Sequence, residues 1–211
     1  MTKEIGLRDK KKGLLRLEIL ETVTELMKEN HFEDIKVKEI CSMVNISEVT
    51  FFKYFKKKED LLLFYMLVWN YRREMSIARL VREQGKIGIY SIFHDTASTE
   101  LALEILLAFI TYVSKLTERP AGLVLEDYEK LLLFDMGEII TPLSLDDQIV
   151  MHLQEAVDSG ELPKEIDIHK TNNLISSIYY GTPLVAHMTG ISLEKLYIEN
   201  LDNIFNLKAG A

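Results

Sequence analysis

The chain has 211 residues, of which 47% are hydrophobic and 27% charged, and carries a net charge of −8. Such a length can bury a sizeable core in one or two domains, and the composition is that of a globular rather than a disordered chain. A single cysteine excludes an internal disulfide, no signal-peptide pattern opens the chain and no apolar run reaches the roughly 18 residues of a membrane span, so a soluble cytoplasmic protein without a membrane partner is expected.

The acid is unevenly spread. Residues 1–60 hold 13 Lys and Arg against 12 Asp and Glu, whereas the remainder holds 12 against 21. An excess of acid therefore need not repel a nucleic acid from the N-terminal part. Arg8, Lys10, Lys11 and Lys12 form a basic cluster ahead of a first helix expected over Gly13 to Glu29. Ile19, Val23, Leu26 and Met27 make its buried stripe, Asn30 ends it, and Phe32 plugs a small core.

Residues 37–61, VKEICSMVNISEVTFFKYFKKKEDL, read as two short helices around a tight turn. Ile40 and Val44 lie four apart on one face, and Asn45 tolerates the left-handed backbone that closes a helix. Ser47 is a favoured N-cap for the second helix. At about 100° per residue Phe51 and Phe55 share a packing stripe, while Val49 and Lys53 fall roughly opposite, flanked by Thr50 and Phe52. An outward surface with a methyl-rich side chain, a hydroxyl, a ring and a cation suits the DNA major groove. The expected DNA-contact set is Lys38, Ser47, Glu48, Val49, Thr50, Phe52, Lys53, Tyr54 and Lys58. Glu48 can accept from a cytosine amine or reject wrong sites. Lys58, expected to open the next helix, is expected to meet phosphate, and Lys56 and Lys57 can do likewise. Cys41, beside Ile40, reads as a small core residue.

This segment resembles the DNA-binding domain of TetR-type transcriptional regulators. The resemblance rests on Ile40-Cys41, Val44, Ile46-Ser47, Thr50-Phe51-Phe52, Tyr54-Phe55 and Lys58-Glu59-Asp60-Leu61 in one register. Four positions depart from the family pattern: Val37 replaces a capping Thr, Asn45 and Val49 replace common glycines, and Phe52 lacks a tyrosine hydroxyl. The resemblance implies an all-α fold of about nine helices, with a three-helix helix-turn-helix DNA-binding domain at residues 1–60. A helical effector-binding and dimerisation domain would occupy 61–211.

Beyond Leu61 the chain reads as helix. A fourth helix is expected from Lys58 to about Glu83, close to 40 Å long at roughly 1.5 Å per residue, and thus a rod joining the two domains. Further helices are expected over Ile87–Phe93, about Thr99–Lys115, somewhere in Glu118–Pro142, from Ser144 to Val157, from Asp167, and from Ser192 to about Leu207. The helix after Asp167 is expected to bend or stop at Gly181-Thr182-Pro183, because proline cannot donate and clashes with the preceding turn.

A lone helix-turn-helix reads a short half-site, so a homodimer on a palindromic double-stranded operator is expected. By resemblance the last two long helices pair with their copies, through Leu174, Ile178, Leu184 and Val185 on one and Leu196, Ile198, Leu201, Ile204 and Phe205 on the other. The resemblance also implies a small-molecule effector that relieves repression. Its apolar pocket would draw on Tyr65, Trp69, Phe109, Tyr112, Tyr128, Met151, His152 and Tyr179. The alternatives are a regulator switched by a protein partner or a physical signal, an all-α enzyme, or an RNA-binding protein. His31, His94, His152, His169 and His187 show no metal spacing, and no nucleophile elbow or phosphate loop is present, so neither metal, cofactor nor catalytic residues are expected. Gly85-Lys86-Ile87-Gly88 matches the GXXG clamp of RNA-binding KH domains, and His94-Asp95 could form a dyad.

Overall fold

The computed structural model describes residues 6–77, 83–117, 123–133 and 143–207. Among the described residues there are ten α-helices and no strand: α1 (Leu7–Leu26), α2 (Val37–Met43), α3 (Glu48–Tyr54), α4 (Asp60–Ile77), α5 (Gly85–Ala97), α6 (Ala102–Val113), α7 (Asp127–Leu133), α8 (Leu145–Asp158), α9 (Ile168–Thr189) and α10 (Leu193–Leu207). The all-α expectation holds. Among the described residues no single helix is long and apolar enough to cross a membrane. The chain divides into two compact units, Met1–Ser76 with Ala108–Pro142, and Ile77–Leu107 with Leu143–Ala211. Packing therefore groups the first sixty residues with α7 and the second half of α6.

In the first unit, α1 begins six residues earlier than expected, so the basic cluster lies within its first turns rather than ahead of it. Gly13 sits inside the helix because α7 comes so close. A Cβ there would stand 2.8 Å from both Leu132 Cδ1 and Tyr128 Cδ2. The helix ends at Leu26, where the side-chain Nδ2 of Asn30 donates to the Leu26 carbonyl at 3.0 Å. Ile19, Val23, Phe32, Ile40, Phe51 and Phe55 form the small core around the helix-turn-helix.

The fourth helix starts at Asp60, and its expected continuation crosses residues 78–82, outside the described residues. Residues 118–122 and 134–142 also lie outside the described residues, and between them the Glu118–Pro142 stretch yields the short α7.

In the second unit, α8 and α9 are capped as their sequences predict: Ser144 Oγ accepts from the Asp147 amide at 3.1 Å and Asp167 from that of Lys170 at 3.0 Å. Ser192 accepts from the Lys195 amide at the start of α10 at 3.3 Å. α9 does not stop at Gly181-Thr182-Pro183 but runs through Pro183 to Thr189, ending on Gly190 at φ 70°. The carbonyl that Pro183 leaves without a helical donor belongs to Tyr179, and the Tyr197 hydroxyl donates to it at 2.8 Å. Packing from α10 thus repairs the fault.

The GXXG motif has a structural role. Gly85 and Lys86 donate their amides to Glu155 Oε2 at 3.1 Å and Glu161 Oε2 at 3.2 Å, which caps an α5 whose N-cap residue, Gln84, provides no side-chain cap. A Cβ on Gly88 would come within 2.2 Å of His152 Cε1. The motif lets the α8 side chains reach α5, and with no strand among the described residues the KH arrangement is absent.

Candidate nucleic-acid interface

The turn between α2 and α3 is built from its backbone. Asn45 takes φ 56°, the Ile46 amide donates to the Cys41 carbonyl at 2.9 Å, and the Asn45 amide to that of Ser42 at 3.4 Å. These two bonds close a helix in the Schellman manner with Asn in place of glycine. Ser47 then caps α3, accepting from the Thr50 amide at 3.2 Å while its Oγ stands 2.9 Å from Thr50 Oγ1. The Thr50 hydroxyl is thus engaged by the cap.

The faces of α3 are as the spacing predicts. Phe51 and Phe55 are fully buried, 5.7 Å apart by ring centroid, and Phe55 meets Phe64 of α4 at 5.5 Å. Outward, Val49 is 69% and Phe52 45% exposed, and Glu48 and Lys53 are exposed as well. Lys38 and Ser47 are also exposed, whereas Thr50 and Tyr54 are half-buried. Met43, at the end of α2 and absent from the sequence-based set, is exposed too. Helical periodicity in α3 could not find it, because it lies on the other helix.

Lys58 is placed otherwise than expected. Its ammonium donates to the carbonyls of Phe32 at 2.7 Å, Glu33 at 2.9 Å and Ile35 at 2.8 Å, and burial lowers its pKa. An ammonium has three donors, and all three are spent on the loop that follows α1. Lys58 therefore staples that loop and lies two residues ahead of α4, which removes it from the phosphate-contact set.

The head is joined to α6 and α7 within the first unit. Arg16 Nη1 stands 2.8 and 3.0 Å from the two carboxylate oxygens of Glu129, with both side chains buried. The guanidinium also lies 4.2 Å from the centre of the Phe64 ring and 5.5 Å from that of Phe55. Burial pushes the Glu129 carboxyl up against the pull of Arg16. Lys12 lies 5.4 Å over Tyr128 and Lys57 5.0 Å over Tyr112, and each tyrosine holds its lysine's pKa up. Lys12 of the N-terminal basic cluster and Lys57, read as a phosphate contact, are thus beside aromatic partners. Cys41 is buried, and burial pushes its thiol up, as a small core residue requires.

The eight effector candidates fall in both units. Tyr65, Trp69, Phe109, Tyr112 and Tyr128 belong to the first unit, and Met151, His152 and Tyr179 to the second. His152 Nδ1 pairs with Glu155 Oε2 at 3.0 Å, and the Tyr179 hydroxyl meets Thr96 Oγ1 at 3.1 Å, both among core side chains. A cleft of about 330 Å³ in the second unit, lined by Ala97, Thr99, Glu104, Ala186, Gly190 and Ile191 among others, includes none of the eight. His94 faces Glu194 at 2.8 Å on the surface, which replaces the sequence-suggested dyad with Asp95.

The dimer candidates divide cleanly. Leu174, Leu184, Val185 and Ile198 are exposed, and Ile178 and Leu196 half-buried. Leu201, Ile204 and Phe205 are instead core residues, with Phe205 5.8 Å from the Tyr90 ring, and so are unavailable to a partner. Two apolar stripes on one helix look alike in sequence until one is known to face inward. Met188 at 80% exposure and Ile191 at 40% join the exposed face.

An all-α chain that opens with a helix-turn-helix, the second helix keeping an exposed face, has the architecture of a DNA-binding transcriptional regulator. Residues 19–63, which span the helix-turn-helix, match the model of the bacterial regulatory proteins of the tetR family, and this segment is of the TetR type. Its fold is similar to the crystal structure of Thermus thermophilus FadR, a TetR-family transcriptional repressor in complex with lauroyl-CoA, at 20% identity over 90% of this chain and 92% of that one, with a TM-score of 0.58. It is also similar to Escherichia coli NemR in its reduced form, at 16% identity over 91% and 95%, with a TM-score of 0.53. At such identities the likeness is one of fold. No curated protein matches the chain.

Proposed function

We propose that the chain is a homodimeric repressor that binds a palindromic operator through α3 and is released when a small molecule occupies the helices beyond the head. The observation that carries the DNA-reading part is the division of α3, with Phe51 and Phe55 at zero exposure and Val49, Phe52 and Lys53 outward. The dimer is supported by the exposed Leu174, Val185 and Met188, with the half-buried Ile178 between them, at spacings of four, seven and three on one face of α9. The release step is supported by the contacts of Tyr112, Tyr128 and Glu129 with Lys57, Lys12 and Arg16, which give α6 and α7 a direct hold on the head beside the expected route through α4. An effector acts by binding one arrangement of the two heads better than the other, since equal affinity for both shifts nothing. The complex of the Thermus protein with lauroyl-CoA makes an acyl thioester a reasonable first compound to try.

Replacing Lys53 and Thr50 with Ala tests the reading helix. Weaker and less selective binding to duplex DNA, with an unchanged fold and oligomeric state, is the expected result. An unaltered binding profile would remove α3 from the interface.

A further inference from the structure

Residues 37–54 contain no Arg and no Gln, and their one Asn, Asn45, is used in the left-handed turn. Arg or Lys on guanine and Asn or Gln on adenine are the common bidentate base readers, and of these α3 offers only Lys53. The Thr50 hydroxyl is held by Ser47 at 2.9 Å. Lys53 is the only cation in α3 and Glu48 its only acid. Beside the exposed Glu48 and Lys53 the helix presents two large apolar side chains, Val49 at 69% and Phe52 at 45% exposure, one turn apart and therefore neighbours on one face. Phe52 is steadied by an edge-on contact with the buried Phe51 at 5.3 Å. A rigid ring beside a branched aliphatic side chain, left in water at the tip of a DNA reader, asks for an apolar partner in the groove. The major groove offers one such group, the C5-methyl of thymine.

We infer that this head specifies its half-site chiefly through thymine methyl groups, read by Val49 and Phe52, with Lys53 supplying the one cationic contact from α3. This deepens the reading of α3 as the recognition helix and rests on it. The closing test uses the full-length protein and the duplex it enriches from random sequence. Thymines of the half-site are replaced one at a time by deoxyuridine, which removes the methyl and leaves pairing and charge unchanged. At the contacted positions affinity should fall roughly fourfold per methyl, the scale of one buried methylene group. In Val49→Ala, whose site is too exposed to disturb the fold, uracil at the position read by Val49 should cost nothing further. Lys53→Ala should weaken binding but keep the uracil penalty. Equal affinity for every uracil duplex would overturn methyl readout while leaving α3 as the DNA reader. Failure to enrich any duplex would overturn both.

Discussion

The Tyr197 hydroxyl donates to the main-chain carbonyl of Tyr179 at 2.8 Å, the acceptor that Pro183 strips of its helical partner. Both tyrosines are buried, with rings 5.9 Å apart and nearly parallel, so the orphaned carbonyl is out of reach of water. Tyr197→Phe removes the donor and little else. It should destabilise the protein by about 1–3 kcal/mol, the cost of an unsatisfied buried polar group. In a Pro183→Ala background, where the helix regains its own N–H, the loss should shrink. Equal losses in both backgrounds, measured by denaturant unfolding, would mean the bond does not compensate the proline.

Arg16 and Glu129 form a buried ion pair between α1 and α7. Glu129→Ala strands the guanidinium and should cost about 3–5 kcal/mol, whereas replacing both partners with apolar residues of similar volume should be close to neutral. If this pair also relays effector occupancy to the head, the double variant Arg16→Met/Glu129→Leu should still bind DNA but respond less to the effector. An unchanged response would confine the pair to stability.

Lys58 separates stapling from phosphate contact. Lys58→Met leaves three carbonyls without their donor and should lower stability by about 1–3 kcal/mol. The salt dependence of DNA binding should keep its slope. A phosphate contact would instead show as a slope reduced by about one, with stability unaltered.

Leu184, 48% exposed on the apolar face of α9, tests the dimer. Leu184→Glu would place an unpaired carboxylate in the proposed interface, and sedimentation at micromolar concentration should then report a monomer. A variant that stays dimeric, or a wild-type protein that is monomeric, contradicts the assignment.

Local chemistry made the helix-turn-helix legible in sequence. Ser47 as a cap, Asn45 at positive φ, and the Phe51–Phe55 stripe each follow from a few neighbouring residues, and each was found in place. The features that escaped are those decided by distant partners. Pro183 reads as a break until Tyr197 is known to lie beside it, and Lys58 reads as a free cation until the loop at 32–35 is known to fold over it. Leu201, Ile204 and Phe205 carry the same apolar signal as an interface stripe and are core. Gly13 and Gly88, which look like weak points in helices, are the places where α7 and His152 approach most closely.

Selection of bound sites from random duplex DNA tests the central claim most directly, because it examines DNA reading and two-fold symmetry in one experiment. The account predicts enrichment of two inverted half-sites about one helical turn, or a multiple of it, apart, and loss of that enrichment in Lys53→Ala/Val49→Ala. A pool that stays random, or a single half-site without its inverted copy, would contradict it.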